Sequence, residues 1–143
     1  MLDSTRTATL PSADTSELST IKGMSMEAAD KIGVVEKYVV AFATGDMNII
    51  REIYAANARV EDPVGTPVHD GFDAICAFYE GALKSGARLE LTGPARCSGN
   101  AVAFPFQVKM PGMIVDIIDV FEFDEAGKVA SMKAYWGPGN MHS

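Results

Sequence analysis

Met113-Ile-Val-Asp-Ile-Ile-Asp-Val-Phe-Glu-Phe123 is the most apolar stretch of this chain, and an aspartate, Asp119, stands within it. As a strand, it sends alternate side chains to opposite faces. Val115, Ile117, Asp119, Phe121 and Phe123 then share one face, while Ile114, Asp116, Ile118, Val120 and Glu122 form the more polar one. A carboxyl on the apolar side is hard to ionise, because leaving water penalises the charged form by several kcal/mol. Complete burial lifts a carboxyl pKa by roughly 3–5 units. At neutral pH Asp119 is therefore expected to donate a hydrogen bond rather than carry charge, which points to chemistry.

Outward from this strand the pattern continues in short extended segments. Arg88–Thr92, Ala95–Ser98, Ala101–Met110 and Lys128–Trp136 read as strands, and Pro111-Gly112 and Asp124-Glu-Ala-Gly127 as turns. Pro105, inside its strand, marks a bulge or an edge. The earlier part has helical periodicity. Val35, Tyr38, Val39 and Phe42 make one stripe of a helix over 26–44, with Ser25 as its N-cap and Gly45 at its end. Asp46 starts a second helix to about Tyr54, and a third runs from about Phe72 to Lys84. Between them Ala58–Asp62 alternates as a strand and stops at Pro63. The fold class is α+β: a curved antiparallel sheet with three helices on its concave side, a cone with an apolar interior.

Length allows one domain with a sizeable core, placed at 25–143. Residues 1–24 are rich in Ser and Thr with few large apolar groups, and are expected to be a flexible extension. A net charge of −7 and the lack of a basic cluster argue against nucleic acid and anionic membrane surfaces as partners. No apolar run approaches the ~20 residues of a membrane span, and the N-terminus lacks a secretory pattern, so the cytoplasm is the expected compartment. Cys76 and Cys97 have no CxxC spacing and read as reduced structural thiols. His69 and His142 belong to no spaced ligand set and fall outside core-facing segments; no metal or cofactor is expected.

Three polar groups fall on core-facing positions: Tyr38 in the first helical stripe, Asp62 on the strand face of Val60, and Asp119. Each has a plain alternative. Tyr38 reads equally as a core residue with a satisfied hydroxyl, Asp62 as a turn-capping aspartate, and Asp119 as part of a structural network. Their conjunction beside a greasy interior is what favours a catalytic reading.

Tyr38-Val-Val-Ala-Phe-Ala-Thr-Gly-Asp46, Val60-Glu-Asp-Pro-Val-Gly65 and Ile118-Asp119-Val-Phe-Glu-Phe123 resemble bacterial ketosteroid isomerase in order and spacing. The resemblance spans about 30–143 and includes Ala77-Phe-Tyr79, Leu91-Thr-Gly-Pro94 and Met132-Lys-Ala-Tyr-Trp136. It implies the nuclear-transport-factor-like cone, a homodimer packed sheet to sheet, a steroid substrate and no cofactor. It further implies that Asp62 is the general base, and that Tyr38 and Asp119 donate hydrogen bonds to the 3-keto oxygen. The raised pKa at the Asp119 position is a known property of that family rather than a deduction from this chain. Among substrate-site residues, Tyr54 and Tyr79 match tyrosines extending the network behind the oxyanion site. Phe106, Met132 and Trp136 match positions lining the steroid cavity. Two features depart from the pattern: the N-terminal extension is longer, and the turn Met110-Pro-Gly-Met113 is shorter, which bears on the cavity rim.

The chemistry agrees with these positions. Loss of a proton beside a ketone places negative charge on the carbonyl oxygen, and fixed donors in a dry site stabilise it. Asp62 must then be ionised and Asp119 neutral, so their environments must differ. The same cone serves other work. An enzyme like limonene epoxide hydrolase needs an Asp-Arg-Asp set, and no arginine falls on an evident pocket position. One like scytalone dehydratase needs pocket histidines. A steroid- or polyketide-binding module is the non-enzymatic alternative, and it has no need of a carboxylate base.

Overall fold

The computed structural model describes residues 26–143. The expected extension over 1–24 and the Ser25 cap lie outside the described residues. The first helical stripe becomes α1 (Ala28–Thr44), which buries Val35, Tyr38, Ala41 and Phe42 and ends at Gly45. Gly45 takes the left-handed conformation (φ 70°) that a side chain would disfavour, and its N–H closes onto the Ala41 carbonyl at 2.8 Å. Asp46 then caps α2 (Met47–Ile53) by accepting from the Asn48 N–H at 2.9 Å.

No loop separates α2 from the sheet. Tyr54, expected at a helix end, instead opens strand β1 (Tyr54–Glu61), so this strand is four residues longer at its start than the alternation of 58–62 suggests. A two-residue β2 (His69–Asp70) precedes α3 (Phe72–Lys84). Then come β3 (Arg88–Leu91), β4 (Arg96–Ser98), β5 (Ala101–Met110), β6 (Met113–Phe123) and β7 (Val129–Tyr135). A 3-10 turn (Pro138–Asn140) leads to a terminal β8 (Met141–His142), which has no signal in the sequence.

The strand order is β2-β1-β7-β6-β5-β3, with β4 beside β5 and β8 beside β6. Among the described residues every pairing is antiparallel except one: β1 and β7 run parallel, so the sheet is mixed rather than wholly antiparallel. Hairpin turns force alternation only between the strands they join. β1 reaches β7 through α3 and four intervening strands, and nothing obliges the two to oppose. Register breaks in β1 between Tyr54 and Arg59, and in β6 between Glu122 and Phe123, bend the sheet at the same end. Pro105 occupies a local edge, not a bulge. Its pairing with Ile118 is regular, and on the other side it faces the gap between β3 and β4, where only its carbonyl is used, by Thr92 N–H at 3.0 Å.

The helices cover one face of this curl: α1 rests on β3 and β5, and α3 on β1. Between the layers lies an aromatic cluster. The Tyr38 ring meets Phe42, Phe104 and Phe121 edge-on at centroid distances of 5.2–6.1 Å. Burying each such side chain contributes about 1.5–3 kcal/mol, enough to fix Tyr38 without help from its hydroxyl.

Candidate active site

A cavity of about 250 Å³ opens between the helices and the sheet. Tyr38, Asp62, Tyr79, Phe106, Asp119 and Trp136 all line it, and the rest of its wall is mostly aliphatic, aromatic or methionine. Residues far apart in the chain thus meet in one cavity. Tyr54 and Met132 are placed differently. Both are buried in the core and neither lines the cavity. Met132 lies four residues before Trp136 on the same strand face, which carries it past the cavity floor into the core. Tyr54 stands behind Tyr79, its hydroxyl 2.6 Å from that of Tyr79.

Asp119 sits near the middle of the sheet, between Phe104 of β5 and Ala134 of β7, and is 1% exposed. The face predicted to be apolar is the buried one: Val115, Asp119, Phe121 and Phe123 are all enclosed. Burial, above all, drives its pKa well above the ordinary carboxylate range. The nearby Asp62 charge adds to this, and Tyr38 opposes it. Its Oδ1 is fully buried with no hydrogen-bond partner among the described residues. An unmatched oxygen of this kind costs about 1–3 kcal/mol, and Asp119 is one of the residues lining the cavity.

Tyr38 hangs from α1, and its hydroxyl lies 2.9 Å from that of Tyr79, which lies 2.6 Å from that of Tyr54. Burial raises all three phenols above 10, so all three keep their protons. Three O–H groups joined by two hydrogen bonds leave one proton over. When the chain runs Tyr54 to Tyr79 to Tyr38, that proton is the one on Tyr38, a residue of the cavity wall.

Asp62 follows the last residue of β1, and its loop is tied down on both sides. The Val64 N–H donates to the Ala134 carbonyl at 2.9 Å, and the Gly65 N–H to the Glu61 carboxylate at 2.8 Å. Partial burial raises the Asp62 pKa, while the Trp136 indole N–H, donating to Oδ1 at 2.8 Å, and the neighbouring His69 pull it back. Asp62 therefore ionises before Asp119, and its charge in turn helps keep Asp119 protonated.

Sequence reasoning missed three things here. The Trp136 bond to Asp62 joins residues 74 apart, and no local pattern encodes it. His69, read as lying off the core, is part-buried: β2 pairs it with Val60, and its ring stacks on Phe78 at 4.4 Å, close to Asp62. Met141 joins the cavity wall from the terminal strand. Among the described residues no group of three or more His, Cys, Asp or Glu could hold a metal ion.

Comparison with known proteins bears on the family and the fold. Residues 35–132 match the SnoaL-like domain family. A curated steroid Δ-isomerase from Nocardioides simplex is 39% identical over 120 residues, covering 80% of this chain and 95% of that protein. Among solved structures, the epoxide hydrolase/cyclase-like enzyme SalBIII, of pyran ring formation in polyether salinomycin, superposes with a TM-score of 0.75. It is 25% identical and is matched over 81% of this chain and 97% of its own. On this match, and on a cone whose cavity gathers Tyr38, Asp62 and Asp119, the chain belongs to the SnoaL-like domain family and is a relative of bacterial steroid Δ-isomerase.

Proposed function

We propose that this protein is a steroid Δ-isomerase that converts Δ5-3-ketosteroids to their Δ4 isomers. The observation carrying this reading is the buried Asp119 with its unpartnered Oδ1, facing the same cavity as Tyr38 and the ionisable Asp62. A ligand that only needed apolar shelter would require none of the three.

In this mechanism the steroid enters with its 3-keto oxygen between the Tyr38 hydroxyl and the protonated Asp119 carboxyl. Ionised Asp62 removes a proton from the carbon between ketone and alkene. The electron pair moves through the ring to the oxygen, giving a dienolate held by the two donors. Asp62 then returns the same proton two carbons further along, and the ketone re-forms in conjugation. The donors are fixed before reaction, so no solvent need reorganise, and each contributes about 10²–10³ in rate. The positioned base adds about 10²–10⁴. No step draws on a metal or cofactor.

The nearness in fold to SalBIII raises a hydrolase or cyclase as the second enzymatic reading. Among the described residues no arginine or histidine lines this cavity, which favours proton transfer over water activation. We further read the protein as a homodimer packed sheet to sheet. Ile118 and Tyr135, register partners on the outer face of β6 and β7, each stand 48% exposed. The free thiols of Cys76 and Cys97 suit the cytoplasm.

Androst-5-ene-3,17-dione mixed with the protein should gain the ultraviolet band of a conjugated enone. Equal, background-level rates for wild type and Asp62→Asn would end the isomerase reading and leave a binding module.

A further inference from the structure

The chain does not stop where the catalytic strands stop. After β7 it turns through Pro138–Asn140 and comes back as β8 against β6, pairing Met141 with Val115 and His142 with Ile114. β7 covers β6 only from Ile118 onward, so β8 fills the stretch of β6 that β7 leaves open. The turn is closed on itself: Gly137 N–H donates to Asn140 Oδ1, and Asn140 N–H to the Gly137 carbonyl, both at 2.9 Å. The end is fastened by His142 Nε2, 3.0 Å from Asp116 Oδ2, while Gln107 Nε2 holds the other oxygen of that carboxylate at 2.9 Å.

This strap places Met141 in the cavity wall, to which Met110 and Met113, the two residues flanking the shortened β5–β6 turn, also belong. Val115, the register partner of Met141, lies four residues along β6 from Asp119, roughly 13 Å at the rise of a strand. That is on the order of the length of a fused four-ring skeleton. Ser85, the one other polar side chain on the lining, has its hydroxyl engaged: it donates to the Ala82 carbonyl at 2.6 Å and accepts from the Ala87 N–H at 3.2 Å. Among the described residues, the far end of the cavity thus offers polarisable thioethers and no free side-chain donor. Methionine adapts to irregular apolar shapes.

Resting on the steroid reading above, we propose that the C-terminal strap, residues 137–143, is the outer wall of the substrate site. Met141 is its specificity-determining residue, selecting multi-ring ketones by apolar contact with their distal rings. The strap touches the ligand far from the reacting atoms, so it acts on binding and leaves the proton transfer alone.

Two variants test this: Met141→Ala, and a chain ending at Gly137. Each is assayed with androst-5-ene-3,17-dione and with the one-ring ketone 3-cyclohexen-1-one. The expected result is a KM for the steroid raised roughly tenfold, the factor given by about 1.4 kcal/mol of lost contact. The kcat for the steroid stays within about twofold, and the one-ring ketone is turned over as by wild type. An unchanged steroid KM in both variants overturns the inference. So does an equal loss on both ketones, because the strap would then be supporting the scaffold. Should wild type isomerise neither ketone, the functional reading fails by itself. Quenching of Trp136 fluorescence by the Δ4 steroid then compares affinities directly: weaker binding by both variants upholds the strap's role, and equal binding removes it.

Discussion

Replacing Asp119 by asparagine keeps the shape of the side chain and removes its ability to ionise, which isolates the cost of burying a carboxyl. Asp119 is 1% exposed, and its native pKa is raised chiefly by that burial. The native state therefore holds its proton over a pH range in which the unfolded chain, with an ordinary value of about 3.9, has released it. When the native state binds more protons than the unfolded one, stability falls as pH rises. Wild type should thus lose stability relative to Asp119→Asn from about pH 4 upward. The slope approaches one proton, about 1.4 kcal/mol per pH unit, and flattens where native Asp119 titrates. Each pH unit of that slope is a sizeable share of the 5–15 kcal/mol that holds a typical domain together. Asp62 is also raised and contributes with the same sign, but it is present in both proteins and largely cancels from the difference. Urea titrations followed by the fluorescence of Trp136, at half-unit steps of pH, give the two curves. A difference that stays constant from pH 4 to 8 would mean that native Asp119 ionises like any exposed aspartate, and the reasoning about its burial would be wrong.

Other outcomes follow from the same geometry. Tyr38→Phe removes one oxyanion donor and should lower kcat on a Δ5-3-ketosteroid by about 10²–10³ while KM changes little, as steady-state kinetics will show. Trp136→Phe deletes the hydrogen bond that holds the Asp62 pKa down. The acid limb of kcat/KM against pH should therefore move to higher pH, and a limb that stays in place would break the link between the indole and the base. Tyr54→Phe removes the far donor of the tyrosine chain and leaves the Tyr79 hydroxyl short of one partner in a buried site. It should cost about 1–3 kcal/mol in denaturant unfolding and slow turnover less than Tyr38→Phe does.

The periodic parts of this fold were legible in the sequence. Asp119 announced itself because a period-2 pattern assigns faces without reference to anything distant, and the helical stripe of α1 placed Tyr38 inward by the same logic. What stayed hidden was everything set by long-range pairing. The parallel run of β1 beside β7 has no local signature, because strand direction there is decided by a crossover, not by a turn. Met132 was assigned to the cavity by resemblance. Depth along a strand face depends on where the aromatic layer closes the floor, and the sequence does not carry that. β8 is two residues long, too short for any alternation to show, and yet it brings Met141 to the cavity wall. His69 read as lying outside the core-facing segments, and the pairing of β2 with Val60 that part-buries it has no local signal.

The protonation of Asp119 at neutral pH can be observed directly. Infrared difference spectra between wild type and Asp119→Asn at pH 7 should show the carbonyl stretch of one protonated carboxylic acid in wild type, surviving well above the pH at which exposed carboxyls have titrated. If the wild-type spectrum at pH 7 instead shows only an additional carboxylate and no acid band, Asp119 is an anion, there is no second donor for an enolate oxygen, and the mechanism proposed for this cavity is contradicted.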